Sequence, residues 1–254
     1  MRNLTTGAPA ELMLLHPYRH ADPAAALRRP PHAQVWRAYI RGKKVRAQDR
    51  LLPIARRPEH GASLADVLAH VGETPLPPYL KRHAEPDDEE NYQTVYASTA
   101  GSAAAPTAGL HMTDRIMERR RERGVQMEDV VLHVGAGTFA PVTAETVGGH
   151  DMHAELMSLR RACVERVGRH VESRSPIFAM WTTSVRALES MYWFSVRLLV
   201  EEGVGARATI HVGQWEPYER MDELGKDALP TPHQAMQAVL QWHREMDVPI
   251  FGTT

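Results

Sequence analysis

The sequence predicts an α/β protein: a mixed α/β main domain with a small, partial β-barrel subdomain. Two observations carry this. From residue 130 onward, apolar strand-like runs alternate with segments of helical periodicity, the pattern of an α/β layer. Before residue 55, three short β-type runs are separated by turn chemistry, too few for a closed barrel. The change of subdomain is placed at Pro75, so residues 1–74 form the partial barrel and residues 75–254 the α/β domain.

The composition excludes several classes. At 254 residues the chain can bury a real core. Hydrophobic residues at 43% and charged residues at 24% fit an ordinary folded protein rather than a disordered one. Lys+Arg is 30 against Asp+Glu 31, so any nucleic-acid surface must be a local patch. The 1 Cys, Cys163, forms no internal disulfide, which fits a reducing cytoplasm. No apolar run approaches the roughly 20 residues of a membrane span. The N-terminal residues lack the basic flank and long apolar core of a signal peptide. The expectation is a cytoplasmic protein without a membrane partner.

In chain order, strands are expected at residues 10–16, 34–40 and 51–54, with a Pro/Arg/Ala-rich connection at 17–32 and a basic turn at 41–46. Ser63 caps a short helix over 64–71. Prolines extend residues 75–82, an acidic linker covers 85–90, and the aromatic and β-branched run at 92–97 reads as a strand. Thr113 caps a helix over 114–123 that Gly124 closes. Residues 130–134 form a strand buried on both faces. A helix follows over 159–172, with Leu159, Cys163, Val164, Val167 and Val171 on one face. A strand at 176–180 leads into a helix over 185–199 capped by Thr182 or Thr183. Then come a strand at 207–212, an aromatic loop at 214–219, a helix opened by Thr231 and Pro232, and a strand at 248–251.

Residues 101–139 are the centre of the pattern. A small-residue loop, a charged helix, an apolar strand and a second Gly-rich loop follow one another, and small residues let a ligand approach the backbone. His111 and His133 sit beside these loops. Gly135-Ala136-Gly137-Thr138 follows a strand, as the first loop of a Rossmann methyltransferase does, but Pro141, Val142 and Thr143 are a poor start for its helix. A backbone-lined ligand loop and a plain tight turn both remain open.

Six stretches carry a family resemblance: PLPPYLKR at Pro75, YQTVYA at Tyr92, AAPTAGLHMT at Ala104, LHVGAGTFAPV at Leu132, HDMHAE at His150 and TTSVRALES at Thr182. In this order they resemble the S-adenosylmethionine:tRNA ribosyltransferase-isomerase family of queuosine biosynthesis. The resemblance implies a chain shortened at both ends, lacking an upstream Asn-Asp-Thr-Arg stretch and a downstream Asn-Phe-His segment. Met112 stands where Phe is usual, and Met180-Trp181 where the usual pair is Val-Gly.

The reaction the resemblance implies moves the ribosyl unit of S-adenosylmethionine onto 7-aminomethyl-7-deazaguanine in tRNA. The unit rearranges to an epoxycyclopentanediol, with loss of adenine and methionine. Such chemistry needs a base beside sulfur, an acid for adenine, and groups for the ribose hydroxyls and methionine carboxylate. His111 and His133 are the candidate proton-transfer groups, and Glu155 the candidate carboxylate for a ribose hydroxyl or the sulfonium. Each also fits a structural role: a hydrogen-bonded His, a solvated charge. Cofactor contacts are assigned to Gly109, Gly135, Gly137 and Thr138, and to Thr182, Thr183, Ser184 and Arg186, where amides at a helix start suit a carboxylate. Arg115, Arg119 and Arg120, with Lys43 and Lys44, are the candidate tRNA contacts; a solvated helix face explains the arginines equally well. Tyr92, Tyr96 and Trp181 offer surfaces for stacking a base or for core packing. His150 and His153 lack zincin spacing, so no metal is expected. A monomer is expected. The alternatives are a methyltransferase-like enzyme using the same cofactor, and an inactive tRNA-binding remnant.

Overall fold

The computed structural model describes residues 2–3, 11–17, 23–28, 36–41, 51–52, 63–135, 138, 142–204, 209–246 and 250–253. The chain divides into two compact units: Met1–Ala105 with Val134–Ala140, and Pro106–His133 with Pro141–Thr254. The boundary expected at Pro75 falls inside the first unit.

In the first unit, β1 (Arg2–Asn3) and β4 (Leu51–Leu52) pair antiparallel. So do β2 (Glu11–Pro17) and β3 (Trp36–Arg41), with a register shift between Leu14 and His16. Among the described residues these are two separate two-stranded sheets. The expected connection at 17–32 contains a helix, α1 (Pro23–Arg28), which buries Ala26 and Leu27. Proline at its first position is compatible with a helix start. The next helix, α2 (Leu64–Val71), begins as expected: the Ser63 hydroxyl accepts from the Asp66 amide, and Asp66 accepts from the Ser63 amide.

The acidic linker expected at 85–90 is instead a tied corner. Its centre is the short helix α3 (Asp88–Asn91). Two Arg82 nitrogens donate to the buried Asp88 carboxylate at 2.5 and 2.7 Å, and the Glu85 amide donates at 2.8 Å. The strand expected at 92–97 is a run of turns. The Tyr92 amide closes onto Asp88, and that of Ala97 onto Thr94, so the backbone is satisfied locally and no ladder is described there. Burial pushes the Tyr92 and Tyr96 phenols up, as expected of packed rings.

The Arg82 hydrogen bonds, then that of the Glu85 amide, hold the Asp88 carboxyl at about 2, below the ordinary 3.8. A lowered folded-state pKa gives stability that is complete above pH 3.8 and is lost as the pH falls through about 2. An acid titration followed by near-ultraviolet circular dichroism is therefore expected to lose signal across that window, and Asp88→Asn to lack this component. Identical curves for the two proteins would contradict the assignment.

The second unit holds a four-stranded sheet in the order β5-β6-β8-β7. Its strands are β5 (Val131–His133), β6 (Leu156–Leu159), β7 (Thr209–His211) and β8 (Ile250–Thr253). The first three in that order pair antiparallel, and β7 runs parallel to β8. The sheet is thus mixed. β6 was not expected; its Met157 and Leu159 are buried while Leu156 and Ser158 are half-buried, the period of two of a strand with one core face. Leu159, expected on a helix, ends this strand, and α5 (Arg161–Glu172) begins after it.

Two long helices complete the core, α6 (Thr182–Val200) and α8 (Pro232–Met246). α8 packs against α5 and α6. Phe194 and Trp242 meet edge-on with centroids 4.9 Å apart, beside Val164, Met191, Val196 and Val239. Cys163 joins this core, and burial pushes its thiol up to about 11, so it packs as an inert thiol. Thr231 caps α8 as its sequence indicates: the Gln234 amide donates to its hydroxyl, and Gln234 returns a bond to the Thr231 amide.

Two expectations fail here. The segment 176–180 is irregular, with Ile177, Phe178 and Met180 exposed; apolar residues alone do not make a strand without a described neighbour to pair with. The expected aromatic loop at 214–219 opens a helix, α7 (Glu216–Leu224). Pro217 fits its first turn, Glu216 and Glu219 suit its positive end, and Trp215 packs on Tyr218 at 5.8 Å. Among the described residues no helix is long and apolar enough to cross a membrane.

Candidate functional site

The second unit places a carboxylate where charge is costly. Glu155 precedes β6 and continues the inward alternation of Met157 and Leu159; it is only 2% exposed. A carboxylate so buried needs polar partners. His153, two residues earlier on the same alternation, puts Nε2 at 3.3 Å from Glu155 Oε1. The His153 side chain is 35% exposed, so the pair runs from solvent to the interior.

The segment carrying this pair is held from two sides. Arg186 of α6 donates from Nη2 to the His153 carbonyl at 3.1 Å. Gln214 accepts from the Met152 amide and donates to the His150 carbonyl, both at 2.8 Å. The HDMHAE stretch is thereby fixed to the start of α6 and to the residue region leading into α7. Neither Gln214 nor His153 is among the site residues expected from the sequence. The signal for His153 was present: His-x-Glu on an extended segment puts both side chains on one face.

At the start of α6, the Ser184 and Val185 amides close onto the Trp181 carbonyl at 3.2 and 3.3 Å. Those of Thr182 and Thr183 belong to the first turn and point out of the helix. Thr183 is buried, Thr182 exposed and Ser184 half-buried. The N-cap is Trp181, not Thr182 or Thr183, with φ +79° and ψ 149°. That conformation lies at the edge of a region used almost only by glycine. A strained backbone of this kind costs about 1–3 kcal/mol. Trp181→Gly is accordingly expected to raise stability by about 1 kcal/mol after the extra chain entropy of glycine is subtracted. Urea unfolding checks this; a lowered midpoint would show that packing of the half-buried indole outweighs the strain.

His133 ends β5 opposite Leu156, so it shares the face of Leu156 and Ser158 and not that of Glu155. It is buried. His111 closes the short 3-10 turn Thr107–His111 and is exposed, while Gly109 in that turn is buried.

In the first unit, the two small-residue loops are joined directly. The Ala103 amide donates to the Val134 carbonyl at 2.8 Å, and the Val134 amide donates to the Ser102 hydroxyl at 3.1 Å. Gly135 accepts from the Thr138 amide at 3.2 Å in a tight turn, with Thr138 exposed. Gly137, Lys43 and Lys44 lie outside the described residues. The assigned residues therefore divide between the two units.

On α4 (Asp114–Glu122), Thr113 and Gly124 cap as the sequence indicates, Gly124 with φ +67°. Arg115 and Arg119 are exposed; Arg120 instead donates to the Val125 carbonyl at 2.7 Å, which helps close the helix. Among the described residues, no three or more His, Cys, Asp and Glu side chains group to hold a metal ion. After β5, the described residues contain no α-helix before β6, and β5 pairs antiparallel, so the strand–loop–helix of a Rossmann nucleotide site is not built from them.

A mixed sheet with helices packed on it, and a buried carboxylate–imidazole pair beside a helix start, define an α/β protein with a built polar site. The model of the family described as queuosine biosynthesis protein matches residues 2–217, and the chain belongs to that family. It is 46% identical over 128 residues to the S-adenosylmethionine:tRNA ribosyltransferase-isomerase of Desulfotalea psychrophila, covering 50% of this chain and 36% of that protein. It is 37% identical over 216 residues to that of Sorangium cellulosum, covering 74% and 58%. For Staphylococcus saprophyticus the values are 43% over 140 residues, covering 55% and 40%. The chain spans about half the length of the curated relatives it matches. No solved structure matches it.

Proposed function

We propose that the protein transfers and isomerises the ribosyl unit of S-adenosylmethionine onto 7-aminomethyl-7-deazaguanine in tRNA, giving epoxyqueuosine. The family match over residues 2–217 carries this reading, since it includes all six motifs. Glu155, expected to meet a ribose hydroxyl or the cationic sulfur, is 2% exposed and serves as a fixed carboxylate behind the imidazole beside it, without direct contact to the co-substrate. The outward amides of Thr182 and Thr183, with Ser184 and Arg186, take the methionine carboxylate; the Arg186 fork keeps donors beyond the one used on His153. Gly109, Gly135, Gly137 and Thr138 supply backbone contacts to the co-substrate. His111 and His133 stand as candidate proton-transfer groups. Exposed Arg115 and Arg119 contact tRNA phosphates, with Arg120, Lys43 and Lys44 in the same role. The enzyme acts as a cytoplasmic monomer and without a metal, and residues 1–74 form part of a β-barrel.

Chromatography of a reaction with S-adenosylmethionine and the substrate tRNA tests this. Adenine and methionine are the expected products. S-adenosylhomocysteine would indicate methyl transfer, and salt-sensitive tRNA binding without any product would indicate a binding remnant.

A further inference from the structure

We propose that His153 is the base that takes the proton beside sulfur, with Glu155 as its positioning residue. The assignment rests on the ribosyl-transfer reading and names a residue that reading did not use. Three observations carry it. Glu155 is 2% exposed and the His153 side chain 35%, so within this pair the imidazole is the group a substrate reaches. The 3.3 Å approach of His153 Nε2 to Glu155 Oε1 fixes the ring. With Glu155 Oε1 as the acceptor of this bond, Nε2 is the protonated nitrogen and Nδ1 keeps the basic lone pair. Arg186 and Gln214 fasten the backbone on which the pair sits, which holds the ring steady relative to α6. His111 is exposed on a 3-10 turn, and no carboxylate contact is described for it.

In the step, Nδ1 of the neutral imidazole takes a proton from the ribose carbon bonded to sulfur. The C–H electron pair stays on that carbon, next to the positive sulfur. The imidazolium formed lies against the Glu155 carboxylate, which lowers its energy as the charge develops. No oxidant or reductant is needed.

The test uses the full chain with S-adenosylmethionine and the substrate tRNA. His153→Ala is expected to lower adenine release about 100-fold or more. Added imidazole is expected to restore about tenfold of that loss, as a base diffusing into the vacated space would. Binding of S-adenosylmethionine by calorimetry is expected to change less than about threefold, since a base acts in the transition state. Nitrogen NMR of the unsubstituted chain is expected to show His153 protonated at Nε2, and Glu155→Gln to weaken that preference. Turnover of His153→Ala within about tenfold of the parent, lack of imidazole rescue, or an Nδ1-protonated His153 each overturns the assignment alone. An unsubstituted chain that releases no adenine overturns the ribosyl-transfer reading, and the assignment with it.

Discussion

Phe194→Ala is expected to cost about 3–5 kcal/mol of folding stability. The ring is 2% exposed and meets Trp242 edge-on at 4.9 Å, in the core where α6 and α8 pack together. Removing it forfeits the transfer free energy of the ring and leaves a void that neighbours of fixed length fill only in part. The loss is a large share of the roughly 5–15 kcal/mol that holds a typical domain folded. Urea unfolding measures it through a lowered midpoint at unchanged slope. A loss below about 1 kcal/mol would mean that α6 and α8 do not form one tight core.

Glu155→Ala is expected to reduce adenine release by about 10²–10⁴-fold. The side chain has no solvent-facing role to lose, because it is 2% exposed; what it offers is a carboxylate fixed inside the unit, 3.3 Å from an imidazole. Its removal frees the His153 ring to rotate and takes away the charge that stabilises an imidazolium. The measurement is kcat and KM for S-adenosylmethionine, with circular dichroism to confirm the fold. A drop in kcat with KM nearly constant fits the account. Activity within about fivefold of the parent would place Glu155 outside the chemistry.

Local chemistry was legible at three helices where one side chain decides one backbone bond, though not at α6, whose N-cap is Trp181 and not Thr182 or Thr183. Ser63, Thr113 with Gly124, and Thr231 with Pro232 each stop or start a helix where the residues indicate. Elements that depend on a distant neighbour were not. Residues 92–97 and 176–180 have strand-like side chains, but pairing decides a strand, and the described structure closes the first into turns. β6 was hidden because its four residues sit between a loop and a helix whose apolar pattern absorbed Leu159. α7 was hidden because its start is aromatic and contains Pro217, features that also fit a loop.

The site shows the same division. Glu155 and Arg186 could be named from residue type, but their link through the His153 backbone joins residues 33 apart in sequence. The spacing of His150 and His153 reads first as a metal question, while the two-residue spacing of His153 to Glu155 is what places both side chains on one face. Trp181 stands where the family resemblance puts Gly, and its positive φ is a conformation that glycine adopts without strain.

The most direct measurement follows the label in two parallel reactions of this chain with the substrate tRNA. One uses S-adenosylmethionine labelled in the ribose, the other S-adenosylmethionine labelled in the methyl group. The tRNA is then digested to nucleosides and analysed by mass spectrometry. Ribose label in an epoxyqueuosine nucleoside, with no methyl label in the tRNA, is the expected result. Methyl label in the tRNA, or unchanged 7-aminomethyl-7-deazaguanosine in both reactions, would contradict it.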